Sequence, residues 1–198
     1  DVTLCVDALN RLLARYGYPQ RYDRDQYRAI FGFPVQEYYA RAGFDFTRDS
    51  FDDLAVSFME DYIPASESCP LTDGAREALD AFAAAGLHQV ILSASPVTTL
   101  EHQVAARGVT PYFDRLLGLG DIYAKSKVEL GLRYLQESGF DPARAVMIGD
   151  STHDFEVAQA LGVGCVLQSA GHQPPEVLLA TGASVVPGLR EAVPLILA

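Results

Sequence analysis

The chain places two carboxylates where an apolar run ends and a helical pattern begins. In the stretch AVMIGDSTHDFEVAQALG, residues 145–162, Asp150 and Asp154 follow a glycine that ends the apolar residues. Ligands of open α/β sheets bind at such strand-to-helix edges, and paired carboxylates there form the oxygen-rich site that Mg²⁺ prefers. The alternative is an ordinary turn, in which Asp150 or Ser151 caps the helix and Asp154 interacts favourably with the helix dipole.

Two more residues could take part in the same chemistry. Ser93 directly follows the apolar residues VIL, and a hydroxyl with free backbone N–H groups at a strand-to-helix turn can hold a phosphate. Lys127 lies in the first turn of a predicted helix, where a cation opposes the helix dipole unless an anion is nearby. A capping serine and a surface lysine are the alternatives, and Lys125 is a rival for the role of Lys127.

The second half of the chain alternates apolar runs with helical patterns, which predicts βαβ units and a parallel sheet covered on both faces. Ser95-Pro96 is typical of a helix start, and Ser126 with Glu129 is typical of a capping box. The predicted strands are Val90–Leu92, a short one in DRLLGL, Val146–Ile148, Gly164–Leu167 and Ser184–Val186. The predicted helices cover GAREALDAFAAA (74–85), Ser95 to Gly108, Ser126 to Gly139, Ser151 to Leu161, Glu176–Ala180 and Leu189–Leu197.

The first 70 residues differ, with four helical patterns, many tyrosines and phenylalanines, and no strand-like alternation. We therefore predict a helical domain over residues 1–70 beside a sheet domain over residues 71–198. Most of the aromatic residues are expected to form the helical domain's own core, including Tyr38 and Tyr39.

Charge, apolar run length and cysteine spacing indicate which partners are disfavoured and which cellular compartment is expected. The net charge of −11 disfavours nucleic acids and anionic membranes, which bind basic surfaces. No apolar run is long enough to span a bilayer, and no signal peptide is visible at the start. Three widely spaced cysteines suggest neither a zinc cluster nor a disulfide framework, so we expect a reducing cytoplasm.

Taken in order, these features resemble the haloacid dehalogenase superfamily of phosphohydrolases, and in particular its phosphoglycolate phosphatase-like members. The stretch PLTDGAREALDAFAAAGLHQVILSAS (70–95) is similar to the second family motif with its lead-in helix. The stretch SKVELGLRYLQESGFDPARAVMIGDSTHDFEVAQALG (126–162) is similar to the third and fourth motifs. The early helices resemble the four-helix cap that such members insert after the first motif. The implied fold is a Rossmann-like α/β core with a small helical cap.

The resemblance implies a Mg²⁺-dependent phosphatase for a small phosphorylated metabolite, working through an aspartyl-phosphate. Ser93 and Ala94 would bind the phosphate, and Lys127 would neutralise the nucleophile and the phosphoryl charge. Asp150 would face Mg²⁺, and Asp154 would ligate the metal or orient its shell and Lys127. These roles suit phosphoryl transfer, which depends on charge neutralisation and alignment.

The nucleophile that the resemblance implies is not found in these residues. The family's first motif, D-x-D-G-T, should precede the cap, whereas this chain opens on DVTLCVDALNRLL. Asp1 is not a substitute, because no strand precedes it and Thr3 stands where the general acid should be. We therefore expect a segment upstream of residue 1 to supply the central strand and the nucleophile. Removing a central parallel strand should expose a large apolar gap and prevent folding.

Other functions stay open from the sequence alone. A non-catalytic member could bind a phosphate ligand or a protein partner, and a phosphosugar mutase would share the same motifs. A dehalogenase needs no metal, so the paired aspartates disfavour it. We do not expect His153 to act as the acid–base group. His172 follows Gly171 in a predicted loop and is interpreted as a surface residue, with a position facing the site as the alternative. We expect either a monomer or a homodimer.

Overall fold

A computed structural model describes residues 1–120 and 126–198. The four predicted N-terminal helices are present: α1 (Val2–Arg15), α2 (Arg24–Ile30), α3 (Val35–Arg41) and α4 (Phe51–Ser66). Local signals explain two of the starts. The Asp23 carboxylate accepts a hydrogen bond from the Gln26 backbone in a full capping box, and Ser50 caps α4 through the Asp53 backbone N–H.

The helices bury one shared apolar cluster. Leu9, Leu12 and Leu13 of α1 are fully buried, at the spacing of a single helix face. Tyr38 and Tyr39 pack into the same cluster, which confirms that these aromatic residues belong to the core of the helical part. We call α1–α4 the cap.

The described residues after the cap form five parallel strands with helices between them. The strands are β1 (Val90–Pro96), β2 (Arg115–Leu119), β3 (Val146–Gly149), β4 (Gly164–Gln168) and β5 (Ser184–Val186). The helices are α5 (Ala75–Ala84), α6 (Val97–Ala106), α7 (Lys127–Ser138), α8 (Thr152–Leu161), α9 (Pro175–Leu179) and α10 (Leu189–Leu197). The α/β class with parallel strands is confirmed.

The parallel strands lie in two separate sheets. One has the order β1-β2 and the other the order β3-β4-β5, so within the described ranges β1 and β3 each pair with a single neighbour. A cavity of about 600 Å³ is lined by Leu92 of β1 and by Met147 and Ile148 of β3. Lys127 and Asp154 also line this cavity. A cavity with mostly apolar lining therefore lies beside β1 and β3.

The predicted start of α6 is wrong. Ser95 and Pro96 belong to β1, and the helix begins at Val97. The backbone N–H of Ser95 bonds to Ser93 Oγ at 3.1 Å, and Pro96 pairs with Leu119 of β2 after a shift of register. Pairing with β2 thus overrides a local pattern that is typical of a helix start.

Among the described residues, no helix combines the length and the apolar character that crossing a bilayer requires.

Candidate active site

Asp150 and Asp154 lie at the carboxyl end of β3 and in the first turn of α8. Ser151 is the N-cap of this helix: its hydroxyl accepts a hydrogen bond from the Asp154 backbone N–H at 3.3 Å. The Asp154 carboxylate completes the capping box, because Oδ2 accepts hydrogen bonds from the Ser151 N–H at 3.2 Å and the Ser151 hydroxyl at 2.7 Å. The same oxygen accepts the Asp150 N–H at 3.2 Å. The predicted turn with its cap and the predicted carboxylate pair therefore coexist.

The position of the Asp154 side chain against the end of β3 requires a glycine at residue 149. A Cβ added at Gly149 would lie 2.3 Å from Cβ of Asp154, which is closer than real Cβ contacts allow. A side chain at this position would push Asp154 off the end of β3. The glycine therefore serves a close approach between backbone and carboxylate.

Lys127 reaches Asp154 from the start of α7. Its Nζ lies 2.6 Å from Asp154 Oδ1, and the two side chains are only 11% and 13% exposed. Burial raises the pKa of the Asp154 carboxyl, but the Lys127 charge and the hydrogen bonds from Lys127 and Ser151 outweigh burial and leave the pKa below its usual value. Asp154 is thus held as a carboxylate. It is the anion that offsets the unfavourable position of the Lys127 cation in the first turn of α7.

Asp150 is held by the loop that follows β4. Its Oδ2 accepts a hydrogen bond from the His172 backbone N–H at 2.9 Å. A Cβ added at Gly171 would lie 2.0 Å from the same oxygen, so the loop passes directly against the carboxylate. In the described part of the chain, no hydrogen bond reaches Asp150 Oδ1, which leaves one oxygen for a ligand.

The interpretation of His172 as a surface residue is wrong. Its side chain is 15% exposed, and its ring lies between the cap and the core. Nδ1 is 2.8 Å from the Tyr27 hydroxyl, and Nε2 is 2.9 Å from Asp1 Oδ1. Burial lowers the pKa of the imidazole, and the nearby Asp150 charge only partly opposes this effect. His153 lies in the first turn of α8, where its Nδ1 contacts Glu156 Oε2 at 3.3 Å.

Ser93 and Ala94 lie near the end of β1, directly after Leu92, which lines the cavity. The Ser93 hydroxyl accepts the Ser95 N–H, and Ala94 is exposed. None of the hydrogen bonds among the described residues joins Ser93 to Lys127, Asp150 or Asp154. Leu92 and Ile148, which precede the two strand ends, line the same cavity. The structure therefore brings Lys127, Asp150 and Asp154 together through hydrogen bonds and leaves Ser93 on a different sheet, at the end of β1.

Among residues 1–120 and 126–198, two groups of side chains have donor atoms that suit a metal ion. The carboxylates of Asp150 and Asp154 offer only oxygen, as Mg²⁺ prefers, although both oxygens of Asp154 already accept hydrogen bonds. Asp1, Cys5 and His172 bring one donor atom each within 4.8 Å of one another, a mixed set that suits zinc better. Asp150 with its unbonded Oδ1 thus fits Mg²⁺, and Asp154 fits a supporting position. Lys125, the rival of Lys127, lies outside the described residues.

Comparison with known proteins identifies the class. The sequence profile of the haloacid dehalogenase-like hydrolase family matches residues 1–167, and the chain belongs to this family. A phosphoglycolate phosphatase of Thiobacillus denitrificans is 36% identical over 124 residues, which cover 61% of this chain and 54% of that protein. The probable phosphatase IndB of Dickeya dadantii is 25% identical over 150 residues, which cover 73% of this chain and 65% of that protein. The chain thus spans less than two thirds of either curated relative.

The fold is shared with solved structures of the same class. A haloacid dehalogenase-like hydrolase from Streptococcus pneumoniae superposes with a TM-score of 0.84 at 17% identity. The match covers 98% of this chain and 91% of that one. The chain therefore shares its overall fold with a solved structure over nearly its whole length.

Proposed function

We propose that the protein is a Mg²⁺-dependent phosphohydrolase for a small phosphorylated metabolite. The observation that carries this proposal is the buried Lys127–Asp154 pair beside Asp150 at the end of β3, facing a cavity between two strand edges. A cation and carboxylates held together in a partly dry site are what phosphoryl transfer requires. The curated relatives that carry phosphatase names support the same class of reaction.

Each residue of the site has a role that its contacts support. Asp150 would hold Mg²⁺ through Oδ1, because Oδ2 is bonded to the loop after β4. Asp154 would keep Lys127 in place and anchor the start of α8, since both of its oxygens are already bonded. Lys127 would neutralise phosphoryl charge at the cavity. Bound Mg²⁺ would supply further neutralisation of the transferring phosphoryl oxygens.

Ser93 and Ala94 would bind the phosphate from the opposite side. The Ser93 hydroxyl has a hydrogen to donate, because it only accepts in its bond with the Ser95 N–H. The backbone N–H of Ala94 lies at an exposed position next to it. A phosphate placed between β1 and β3 would then meet a hydroxyl on one side and an ammonium on the other.

The nucleophilic aspartate that the resemblance implies would lie on a strand between β1 and β3. Its carboxylate oxygen would attack phosphorus while the bond to the substrate oxygen breaks, and the leaving oxygen would take a proton from a neighbouring acid. Water would then attack the aspartyl-phosphate, which releases phosphate and restores the carboxylate. The two strand edges beside the cavity support this placement.

The test is phosphate release by the full-length protein from 2-phosphoglycolate and p-nitrophenyl phosphate, with Mg²⁺ and with EDTA. We expect release that depends on Mg²⁺ and that falls by orders of magnitude in Asp150→Asn. The matched control is Asp52→Asn, at an exposed position in the first turn of α4, which should keep full activity. Circular dichroism should show the same fold for both variants.

Two results would overturn the proposal. Full activity in Asp150→Asn would remove the metal assignment. Phosphate binding without turnover in the full-length protein would favour the non-catalytic alternative instead.

A further inference from the structure

One loop joins the cap to the carboxylate edge of the sheet. We call residues 169–173, which follow β4, the bridging loop. It contacts α2 of the cap on one side and Asp150 with the start of α8 on the other. No local pattern in the sequence points to the contact with the cap, because the residues that it joins are more than 140 positions apart.

Side chains of α2 form hydrogen bonds with the bridging loop at both of its ends. Arg28 Nη2 donates to the carbonyl oxygen of Ser169 at 2.5 Å and to that of Gln173 at 2.6 Å. Arg24 donates to the carbonyl of Ala170 at 3.1 Å, and the Tyr27 hydroxyl meets the His172 ring at 2.8 Å. A guanidinium that holds two carbonyls fixes their separation, which a lysine ammonium does less well.

Gln173 extends the connection to the start of α8. Its side chain is 4% exposed and uses both ends of its amide. Its Oε1 accepts a hydrogen bond from the backbone N–H of Thr152 at 2.6 Å, and its Nε2 donates to the Phe31 carbonyl at 3.2 Å. Thr152 lies between Asp150 and Asp154 in the sequence. One buried amide thus joins the end of α2 to the first residue of α8.

The bridging loop in turn sets the direction of Asp150. The His172 N–H binds Oδ2, and the bare Cα of Gly171 lies against the same oxygen. A shift of this loop would therefore turn the carboxylate, and with it the oxygen that is available to a metal. Displacements of about 1 Å at such a site are enough to cost large factors in catalysis.

We infer that Arg28 and Gln173 are positioning residues, through which the cap orients the Asp150 carboxylate for its metal. The inference rests on the proposed function, because it takes Asp150 as the Mg²⁺ ligand. Neither residue touches the metal or the substrate in this arrangement. Removing a residue that orients a metal ligand typically weakens metal binding by about 10–100-fold.

The test measures Mg²⁺ affinity by titration calorimetry on the full-length protein, without substrate. We expect Arg28→Met and Gln173→Ala to raise the dissociation constant by about tenfold or more. Arg28→Lys keeps the charge and should recover part of the affinity. The control is Arg11→Met, which removes an exposed arginine of α1 that faces Asp61 at 3.7 Å and should leave the affinity unchanged.

The conditions of the titration separate an effect of each variant on metal binding from an effect on stability. The titrations are made well below the unfolding temperature of each variant, with the native circular dichroism spectrum verified first. If Arg28→Met does not fold, Gln173→Ala and Arg28→Lys carry the test. A merely structural role would lower the unfolding temperature without changing the dissociation constant, and this result would overturn the inference.

The outcomes also separate the inference from the proposed function. Wild-type protein that binds no Mg²⁺, or binds it equally in Asp150→Asn, would overturn the metal assignment and the inference with it. Binding that requires Asp150 but is unchanged in Arg28→Met and Gln173→Ala would overturn the inference alone.

Discussion

Replacing Lys127 with methionine should destabilise the protein far more than the loss of an ordinary ion pair. The Lys127 ammonium is 2.6 Å from the Asp154 carboxylate, and both side chains are nearly buried. Methionine keeps much of the length and apolar character of the lysine stem. The substitution therefore tests the charge rather than the packing.

The expected magnitude follows from the geometry of the pair. Two unit charges 2.6 Å apart attract by about 6 kcal/mol at an effective dielectric constant of about 20. The free energy needed to bury both charges offsets part of that attraction. Removing one partner leaves the other charge buried and unpaired, which costs about 3–5 kcal/mol in other proteins. We expect Lys127→Met to lower the free energy of unfolding at neutral pH by an amount in that range.

The loss should depend on pH with a definite sign. In the wild type the pKa of Asp154 is lowered, so its contribution to stability is present above the unfolded value of 3.8 and is lost as the pH falls through the folded pKa. In Lys127→Met the burial of Asp154 is no longer opposed by the ammonium, so the folded pKa should rise above the unfolded one. Protonation then favours the folded variant. The difference between wild type and variant should be largest at neutral pH and shrink towards pH 4.

The assay is urea unfolding followed by circular dichroism, at several pH values between about 4 and 7. The control is Arg15→Met, whose partner Asp61 lies at 2.9 Å but whose own side chain is 44% exposed. Such a pair should contribute about 1 kcal/mol or less. The double variant Lys127→Met with Asp154→Asn should be more stable than the sum of its single losses predicts, because no unpaired charge is left. Equal losses in Lys127→Met and Arg15→Met at every pH would refute the reasoning.

Two other substitutions test the site and the cap separately. Gly171→Ala would place a methyl group 2.0 Å from Asp150 Oδ2, so Mg²⁺ affinity measured by calorimetry should fall by about tenfold or more. The control is Gly182→Ala, where an added Cβ has no neighbour within 4 Å and the affinity should not change. Leu9→Ala removes a fully buried side chain from the cap cluster and should cost about 2–5 kcal/mol in urea unfolding; a loss below 1 kcal/mol would contradict the packing described for α1.

Most secondary structure could be predicted because its signals are local. Ser126 and Ser151 cap α7 and α8 as their positions suggest, and both helices end at glycines with positive φ. The start of α6 could not be predicted in this way. Ser95-Pro96 is equally suited to a helix start and to an extended bulge, and only the pairing of Pro96 with Leu119 decides between them. That pairing is a tertiary contact, which the local sequence does not encode.

The same distinction applies to the candidate site: residues with a local sequence signal could be predicted, and residues defined only by tertiary contacts could not. Asp150, Asp154 and Lys127 were predicted because the end of β3 and the starts of α7 and α8 are visible in the sequence, and sheet geometry brings such ends together. Arg28, His172 and Gln173 were missed or misinterpreted. An arginine on a short helix and a glutamine in a loop have no special local signal, and their partners lie across the cap–core contact. A buried amide of this kind becomes visible only when both of its hydrogen bonds are placed in space.

The cavity between the sheets connects these observations to the chemistry. The cavity of about 600 Å³ is open to the surface, and it is lined by apolar residues of both β1 and β3. We propose that one further strand pairs with β1 and β3, since each of these strands has a single partner within the described ranges. If that strand runs parallel to its neighbours, its carboxyl end would emerge between Ser93 and Asp150, next to Lys127. The cavity and the charged residues that line it, Lys127 and Asp154, therefore support the place proposed for the reacting carboxylate.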